Sequence, residues 1–259
     1  DVLDHAGLAV LWLDNQSGCK GVCDRVPHAS PRDAALPASV AAGVCDGGEC
    51  FDEAMLLGID ARLAALAPER RKRGVVLVLH QMGSHGPAYA RRSPVGQKRF
   101  TPECASSKLT DCTPEQLDNA YDNSIAYTDR FLSQVLRWVE DKSHLGDYDS
   151  GLIYVSDHGE SLGERGLYLH GLPYSLAPEQ QTRVPMVAWL SKNLQQRAGV
   201  LMPCLRGRTD VALSHDHYFH TVLGLLDVGT RAYDPALDAF EPCTSPQRQA
   251  TRPVVHAAG

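Results

Sequence analysis

Residues 151–171 read Gly-Leu-Ile-Tyr-Val-Ser-Asp-His-Gly-Glu-Ser-Leu-Gly-Glu-Arg-Gly-Leu-Tyr-Leu-His-Gly. The apolar run Gly151 to Val155 stops at Ser156. It is short, partly β-branched and followed by a polar cluster, which predicts a buried strand. Asp157 and His158 then stand at the carboxyl end of that strand, the edge at which open α/β sheets bind ligands. An adjacent Asp-His pair offers one hard oxygen and one borderline nitrogen, a donor set that suits zinc. Gly159 allows the chain to turn away without placing a side chain in the site. His170 returns after a glycine-rich loop. Taken alone, an Asp-His dipeptide is also compatible with a solvated strand end.

A second stretch repeats the pattern. Residues 75–88 read Val-Val-Leu-Val-Leu-His-Gln-Met-Gly-Ser-His-Gly-Pro-Ala, a strand that ends in His80 and His85. Two strands that run into histidine- and glycine-rich loops predict one shared site at the sheet edge. A third strand is expected over residues 8–13, followed by a turn cluster, Asp14 to Gly18. The loop Cys19-Lys20-Gly21-Val22-Cys23 places Lys20 at the same edge, where an ammonium can serve either as solvated surface or as an anion ligand. Strands alternate with helical segments, so the expected fold is α/β, a mostly parallel sheet with helices on both faces.

The helical segments follow from spacing. Phe51 to Ala67 carries Met55, Leu56, Ile59, Leu63 and Leu66 at helical intervals. Thr113-Pro114-Glu115-Gln116 is a helix start, with Thr113 as N-cap and proline at the first position. That helix is expected to run to about Asp141, with Leu117, Tyr121, Ile125, Thr128, Leu132, Val135 and Val139 inward. Asn119, Asp122 and Asn123 near its start are read as structural. A strand is expected over 184–190, near an edge because it begins at Pro185. Ser214 is an expected N-cap for a further helix. His215 and His217, two apart, do not face each other, and His217 and His220 could pair at i,i+3, but with no carboxylate supplied nearby in that geometry the three are read as packing residues. Residues 228–259 form a Pro- and Ala-rich C-terminal tail, with its end expected to be mobile.

Composition narrows the class. The 259 residues, 43% hydrophobic and 22% charged, fit one α/β domain over residues 1–259. The net charge of −6 offers no basic field for nucleic acid. No apolar run reaches the roughly 18–20 residues of a membrane helix, and Asp1-Val2-Leu3-Asp4-His5 has no signal-peptide pattern. Any export signal or anchor is therefore expected upstream. The eight cysteines fall as Cys19 with Cys23, Cys45 with Cys50 and Cys104 with Cys112, leaving Cys204 and Cys243. Eight cysteines allow 105 connectivities. Local pairing in loops is the economical one, the spacings do not fit two Cys-x-x-Cys zinc knuckles, and the even count favours an oxidising compartment.

The phrases His-Gln-Met-Gly-Ser-His-Gly-Pro-Ala-Tyr (80–89), Tyr-Val-Ser-Asp-His-Gly-Glu-Ser-Leu-Gly-Glu (154–164) and Tyr-Leu-His-Gly (168–171) resemble the catalytic domain of lipid A phosphoethanolamine transferases. That family includes the mobile colistin-resistance enzymes. The resemblance runs from Asp1 to about Asp227 in the same order. It implies an alkaline phosphatase/sulfatase-like fold at the periplasmic face of the Gram-negative inner membrane. It also implies zinc-dependent transfer of phosphoethanolamine from phosphatidylethanolamine, the donor, to lipid A, the acceptor, giving polymyxin resistance. Asp157 and His158 match zinc ligands. His85 and His170 match histidines that hold a second zinc or the substrate phosphoryl group. Lys20 matches a lysine near that group in a Ser-x-x-Lys-Gly phrase, and Glu160 follows in the same Asp-His-Gly-Glu phrase.

The family's threonine nucleophile, a further acidic zinc ligand and its membrane helices precede the segment that matches Asp1. This chain is therefore expected to be an N-terminally incomplete catalytic domain, inactive as it stands. Neither Thr101, Thr110 and Thr182 nor Ser156 is assigned as nucleophile. With only Asp157 and His158 left to the first zinc, weak zinc binding is expected. Two other classes fit the same grammar: a sulfatase-like hydrolase or phosphodiesterase, and a non-catalytic zinc-binding module. The Cys/Ser-x-Pro-x-Arg phrase usual in sulfatases does not occur in these residues.

Overall fold

The strands Ala9–Asp14 and Val75–His80 run parallel and in register over their whole length, Ala9 opposite Val75 and Asp14 opposite His80. This pairing forms because both are continuous apolar runs that can be buried on two faces. In the computed structural model, which describes residues 1–32, 43–46, 48–246 and 248, the short strand His28–Ala29 adds to the other side of Ala9–Asp14, again parallel. Both long strands therefore end at one edge. The register puts Asp14 and His80 side by side there, so the loops that follow leave from the same place.

By backbone contacts the described chain divides into two units. The larger comprises Leu8–Trp138 and Val155–Met186, and the smaller Asp1–Gly7, Val139–Tyr154 and Val187–Gly259. The larger unit holds the three-stranded sheet and most of the helix Pro114–His144. That helix begins as expected: Gln116 N–H donates to Thr113 Oγ1 at 3.2 Å and Thr113 N–H to Gln116 Oε1 at 2.9 Å, a reciprocal capping box. Of the expected inward residues, Leu117, Thr128, Val135 and Val139 are buried, Tyr121 and Leu132 are half-buried, and Ile125 faces solvent. The buried face also takes in small and aromatic residues outside the expected set, Ala120, Ser124, Tyr127 and Phe131. The small residues Ala120 and Ser124 permit close packing that a count of large apolar side chains overlooks. Asn123 is structural, as expected. Its side-chain oxygen accepts from Arg99 N–H and Phe100 N–H, and its amide donates to Phe100 O, which pins the 89–112 loop to the helix.

The expected helix from Phe51 to Ala67 is two pieces, a 3-10 turn Asp52–Leu56 and a helix Ile59–Ala64. Gly58, at φ 67°, breaks it, a left-handed conformation that glycine adopts without steric cost. The basic run after Pro68 forms a short helix, Pro68–Arg71, in which Arg70 donates to Leu8 O and Arg71 to Leu66 O. Those arginines brace the chain.

The strands Gly151–Val155 and Met186–Leu190 pair, and all but Val155 and Met186 of them belong to the smaller unit. In that unit the helix His215–Leu225 follows Ser214, whose N–H donates to His217 Nδ1 at 3.1 Å. His220 Nδ1 accepts from Asp234 N–H at 2.9 Å. Both histidines thus hydrogen-bond within the local fold, and neither belongs to a candidate metal group among the described residues. The four disulfides are Cys19–Cys23, Cys45–Cys50, Cys104–Cys112 and Cys204–Cys243, the pairing expected from their positions. The end of the tail, residues 249–259, lies outside the described residues, as do 33–42 within the Pro27–Gly48 loop.

Candidate metal centre

Three histidines converge within the larger unit. A ring nitrogen from each of His85, His158 and His170 lies within 4.8 Å of the others. The rings of His158 and His170 stack at 3.7 Å between centroids, and His85 meets His170 edge-on at 4.9 Å. Each imidazole has its Nδ1 held by an oxygen: His85 by Gly86 O at 2.7 Å, His158 by Gly159 O at 2.9 Å, His170 by Glu160 Oε1 at 3.2 Å. An acceptor on Nδ1 fixes the proton there and leaves Nε2 with a free lone pair, the arrangement that metal-binding imidazoles adopt.

The sequence builds this arrangement locally. The strand Val75–His80 delivers His85 through a loop whose backbone is clamped by Asp52. The Asp52 carboxylate, 4% exposed, accepts from Met82 N–H at 2.8 Å, Gly83 N–H at 2.9 Å and the Asn15 amide at 2.8 Å. Arg92 donates to His85 O at 2.7 Å and holds the same loop. Neither Asp52 nor Arg92 is marked by any motif. Only the folded chain brings them to His85, from 33 and seven residues away in the sequence numbering.

The strand Gly151–Val155 delivers Asp157 and His158, and Ser156 Oγ donates to His158 O at 2.7 Å, so its hydroxyl holds the backbone. The antiparallel pair Ser161–Leu162 and Tyr168–Leu169 then returns the chain so that His170 faces His158. Gly159 is needed because a Cβ there would sit 2.1 Å from Gln180 O. The close neighbour is backbone of the 155–186 segment itself, a different reason from the turn expected of this glycine. Gly86 is constrained similarly, since a Cβ there would lie 2.5 Å from Leu169 Cδ2 and 2.7 Å from Tyr89 Oη.

Glu160 ties the two halves of the centre together. Its side chain is 3% exposed, and Oε1 accepts both from Gly86 N–H at 3.0 Å and from His170 Nδ1. Its Oε2 is buried with no hydrogen-bond partner among the described residues. Burial pushes the neighbouring Tyr89 hydroxyl far above the ordinary phenol range, and the Glu160 charge raises it further.

The other expected site residues are placed differently. Asp157 has an 81% exposed side chain whose Oδ2 lies 3.8 Å from His158 Nε2, and it stands outside the three-histidine group. Lys20 is exposed, in a left-handed backbone conformation within its disulfide loop, and is not one of this cluster. His80, expected to share the site with His85, instead pairs with Asp14, Nδ1 to Oδ2 at 2.7 Å. Asp14 also accepts from Trp12 Nε1 and from Gln16 and Gly18 N–H, which shapes the turn that leads to Lys20. Burial alone would raise the Asp14 carboxyl, but these hydrogen bonds with the nearby His80 outweigh it and hold it below the ordinary range.

A carboxyl lowered on folding contributes stability that is complete above the unfolded-state value and is lost as pH falls through the folded one. The expected result is that Asp14→Asn lowers the melting temperature near neutrality and narrows that difference on acidification through about pH 4. Thermal melts of both proteins across that range check this. A difference that stays constant would remove the charge from the account.

Comparison with known proteins adds a second line of observation. The sulfatase family profile matches residues 1–228. Phosphoethanolamine transferase EptA of Salmonella typhimurium is 46% identical over 244 residues, covering 94% of this chain and 42% of that protein. Phosphatidylethanolamine transferase Mcr-1 of Escherichia coli is 40% identical over 231 residues, covering 88% and 40%. Lipooligosaccharide phosphoethanolamine transferase A of Neisseria meningitidis superposes with a TM-score of 0.85 at 42% identity over 95% of this chain. That overlap is 70% of its soluble domain and 44% of the integral membrane protein. The chain thus spans less than half the length of the curated relatives it matches.

Proposed function

The chain belongs to the sulfatase family, and on that premise we propose that it is the zinc-binding part of a transferase that moves phosphoethanolamine from phosphatidylethanolamine to lipid A. The observation that carries the reading is the convergence of His85, His158 and His170 with every Nδ1 held by an oxygen. Three neutral imidazoles are a ligand set for zinc, and catalytic zinc sites use three protein ligands with one position open. The residues fit the ion. A ring nitrogen of each histidine lies within 4.8 Å of the others, Asp157 stands 3.8 Å from His158 as a further oxygen donor, and the buried Glu160 carboxylate supplies negative charge beside His170.

Zinc bound there would lower the pKa of a bound hydroxyl and stabilise charge on phosphoryl oxygens. The chain's own residues do the rest. Glu160 keeps the Nδ1 proton on His170 and fixes the ring, and Gly86 N–H holds Glu160 in turn. The clamp by Asp52 and the bond from Arg92 keep the His85 backbone in one place, so little reorganisation accompanies binding. Lys20, on an exposed loop, offers a cation for a phosphate oxygen. No residue of this chain is assigned as the group that attacks phosphorus; the donor's headgroup would pass through a threonine supplied by the longer protein, anchored in the inner membrane. Four disulfides favour the oxidising periplasm. Among the described residues no helix is long and apolar enough to cross a membrane.

The test is transfer itself. With the full-length protein, labelled phosphoethanolamine is expected to pass from phosphatidylethanolamine to lipid A and to stop on zinc chelation, while the 259-residue chain alone transfers none. Release of the headgroup to water without transfer would favour the hydrolase reading. Neither transfer nor hydrolysis by the full-length protein would leave the zinc-binding module.

A further inference from the structure

The segment Gly171–Pro178 begins at the residue after His170 and contains no charged side chain, in a chain of which 22% is charged. Three of its large side chains face solvent: Leu172 is 38% exposed, Tyr174 84% and Leu176 70%. The segment is a formed turn. Leu176 N–H and Ala177 N–H both donate to Pro173 O, at 2.8 and 2.9 Å, and Pro178 leads into the short helix Glu179–Thr182. A loop kept in water is ordinarily polar, and contiguous exposed apolar side chains mark a surface that something covers.

We infer that Gly171–Pro178 is a membrane-contacting wedge, which seats Leu172, Tyr174 and Leu176 in the interfacial region of a phospholipid bilayer. The inference rests on the proposed function and names the surface through which that site meets its substrate. The reacting phosphate of a lipid lies at the boundary between headgroups and acyl chains. A centre that contains His170 reaches such a phosphate only if the chain beside His170 enters that boundary. The composition suits it: tyrosine, with an apolar ring and polar tip, is enriched at headgroup depth, and leucine suits the acyl edge. A turn already closed by its own hydrogen bonds loses little conformational freedom on insertion. A relative at 42% identity is an integral membrane protein, so a bilayer is the partner at hand.

Flotation of the purified 259-residue chain with vesicles of phosphatidylethanolamine and a minor fraction of phosphatidylglycerol tests this. The chain is expected to float with the vesicles, and the triple variant Leu172→Ser/Tyr174→Ser/Leu176→Ser to partition about tenfold less or weaker still. Added salt leaves the wild-type partition in place, since apolar insertion is not screened. The single variant Tyr174→Trp keeps the partition and adds blue-shifted emission over that of Trp12, Trp138 and Trp189 when vesicles are present. These side chains are exposed, so the variants fold, and zinc titration of the triple variant verifies the centre. Equal flotation of the triple variant, binding that salt abolishes, absence of flotation by the wild type, or no blue shift overturns the inference. The assay involves neither metal nor turnover. A chain that floats but belongs to a protein without transferase activity sinks the proposed function alone.

Discussion

Zinc titrated into the purified chain is expected to be taken up at a site made by His85, His158 and His170, and Glu160→Ala is expected to weaken that uptake by about 10- to 100-fold. The alanine removes the acceptor for His170 Nδ1 and for Gly86 N–H together. It frees the ring to rotate and leaves a buried donor unsatisfied. Glu160→Gln keeps an acceptor oxygen in the same place and is expected to lose less. His158→Ala or His170→Ala removes a ligand outright, leaving two imidazoles, and is expected to reduce binding to the weak class anticipated for a two-ligand remnant. Isothermal calorimetry gives affinity and stoichiometry for all four variants. Wild-type affinity in Glu160→Ala would separate the carboxylate from the metal, and wild-type affinity in both histidine variants would place the ion elsewhere. The glutamine variant separates the acceptor oxygen, which it keeps, from the negative charge, which it removes.

The second large effect is expected in the longer protein. Asp157→Ala and His158→Ala are each expected to abolish the proposed modification of lipid A, read by mass spectrometry of lipid A from expressing cells. The two residues share a strand end, and their side-chain atoms lie 3.8 Å apart, a separation at which one ion can touch both. The Asp157 carboxylate is exposed, and its bonds among the described residues stay within the dipeptide, to His158 N–H and ring. Its removal should therefore cost little stability, so loss of product with an unchanged melting temperature points to the ion and not to folding. Wild-type levels of modified lipid A in either variant would reject the assignment of that residue.

Much of this protein is written in the order of neighbouring residues. The apolar runs ending at Asp14, His80 and Val155 are strands because each is a short buried-type segment closed by polar residues, and the pattern does not depend on distant contacts. The capping box at Thr113 and Gln116 is likewise local chemistry, three residues apart. The disulfides could be paired because their loops are short, which leaves few alternatives for each thiol. The site histidines were legible for the same reason: they follow strand ends in glycine-rich phrases.

How those residues are apportioned is a matter of the three-dimensional fold. His80 and His85 are five residues apart and look equivalent as text, yet the parallel register sets His80 against Asp14 while the loop carries His85 to His158 and His170. Glu160 acquires its role from Gly86, 74 residues earlier, which no periodicity encodes. Asp52 and Arg92 support His85 through contacts with main-chain atoms, and every residue has the same main chain, so the sequence carries no mark of them. On the Pro114–His144 helix the expected Leu117, Thr128, Val135 and Val139 are buried, but the burial of Ala120 and Ser124 beside them reflects how closely neighbouring elements approach, which small side chains do not announce. Strand and cap follow from adjacent residues; a ligand set and its supports follow from which distant segments the register brings together.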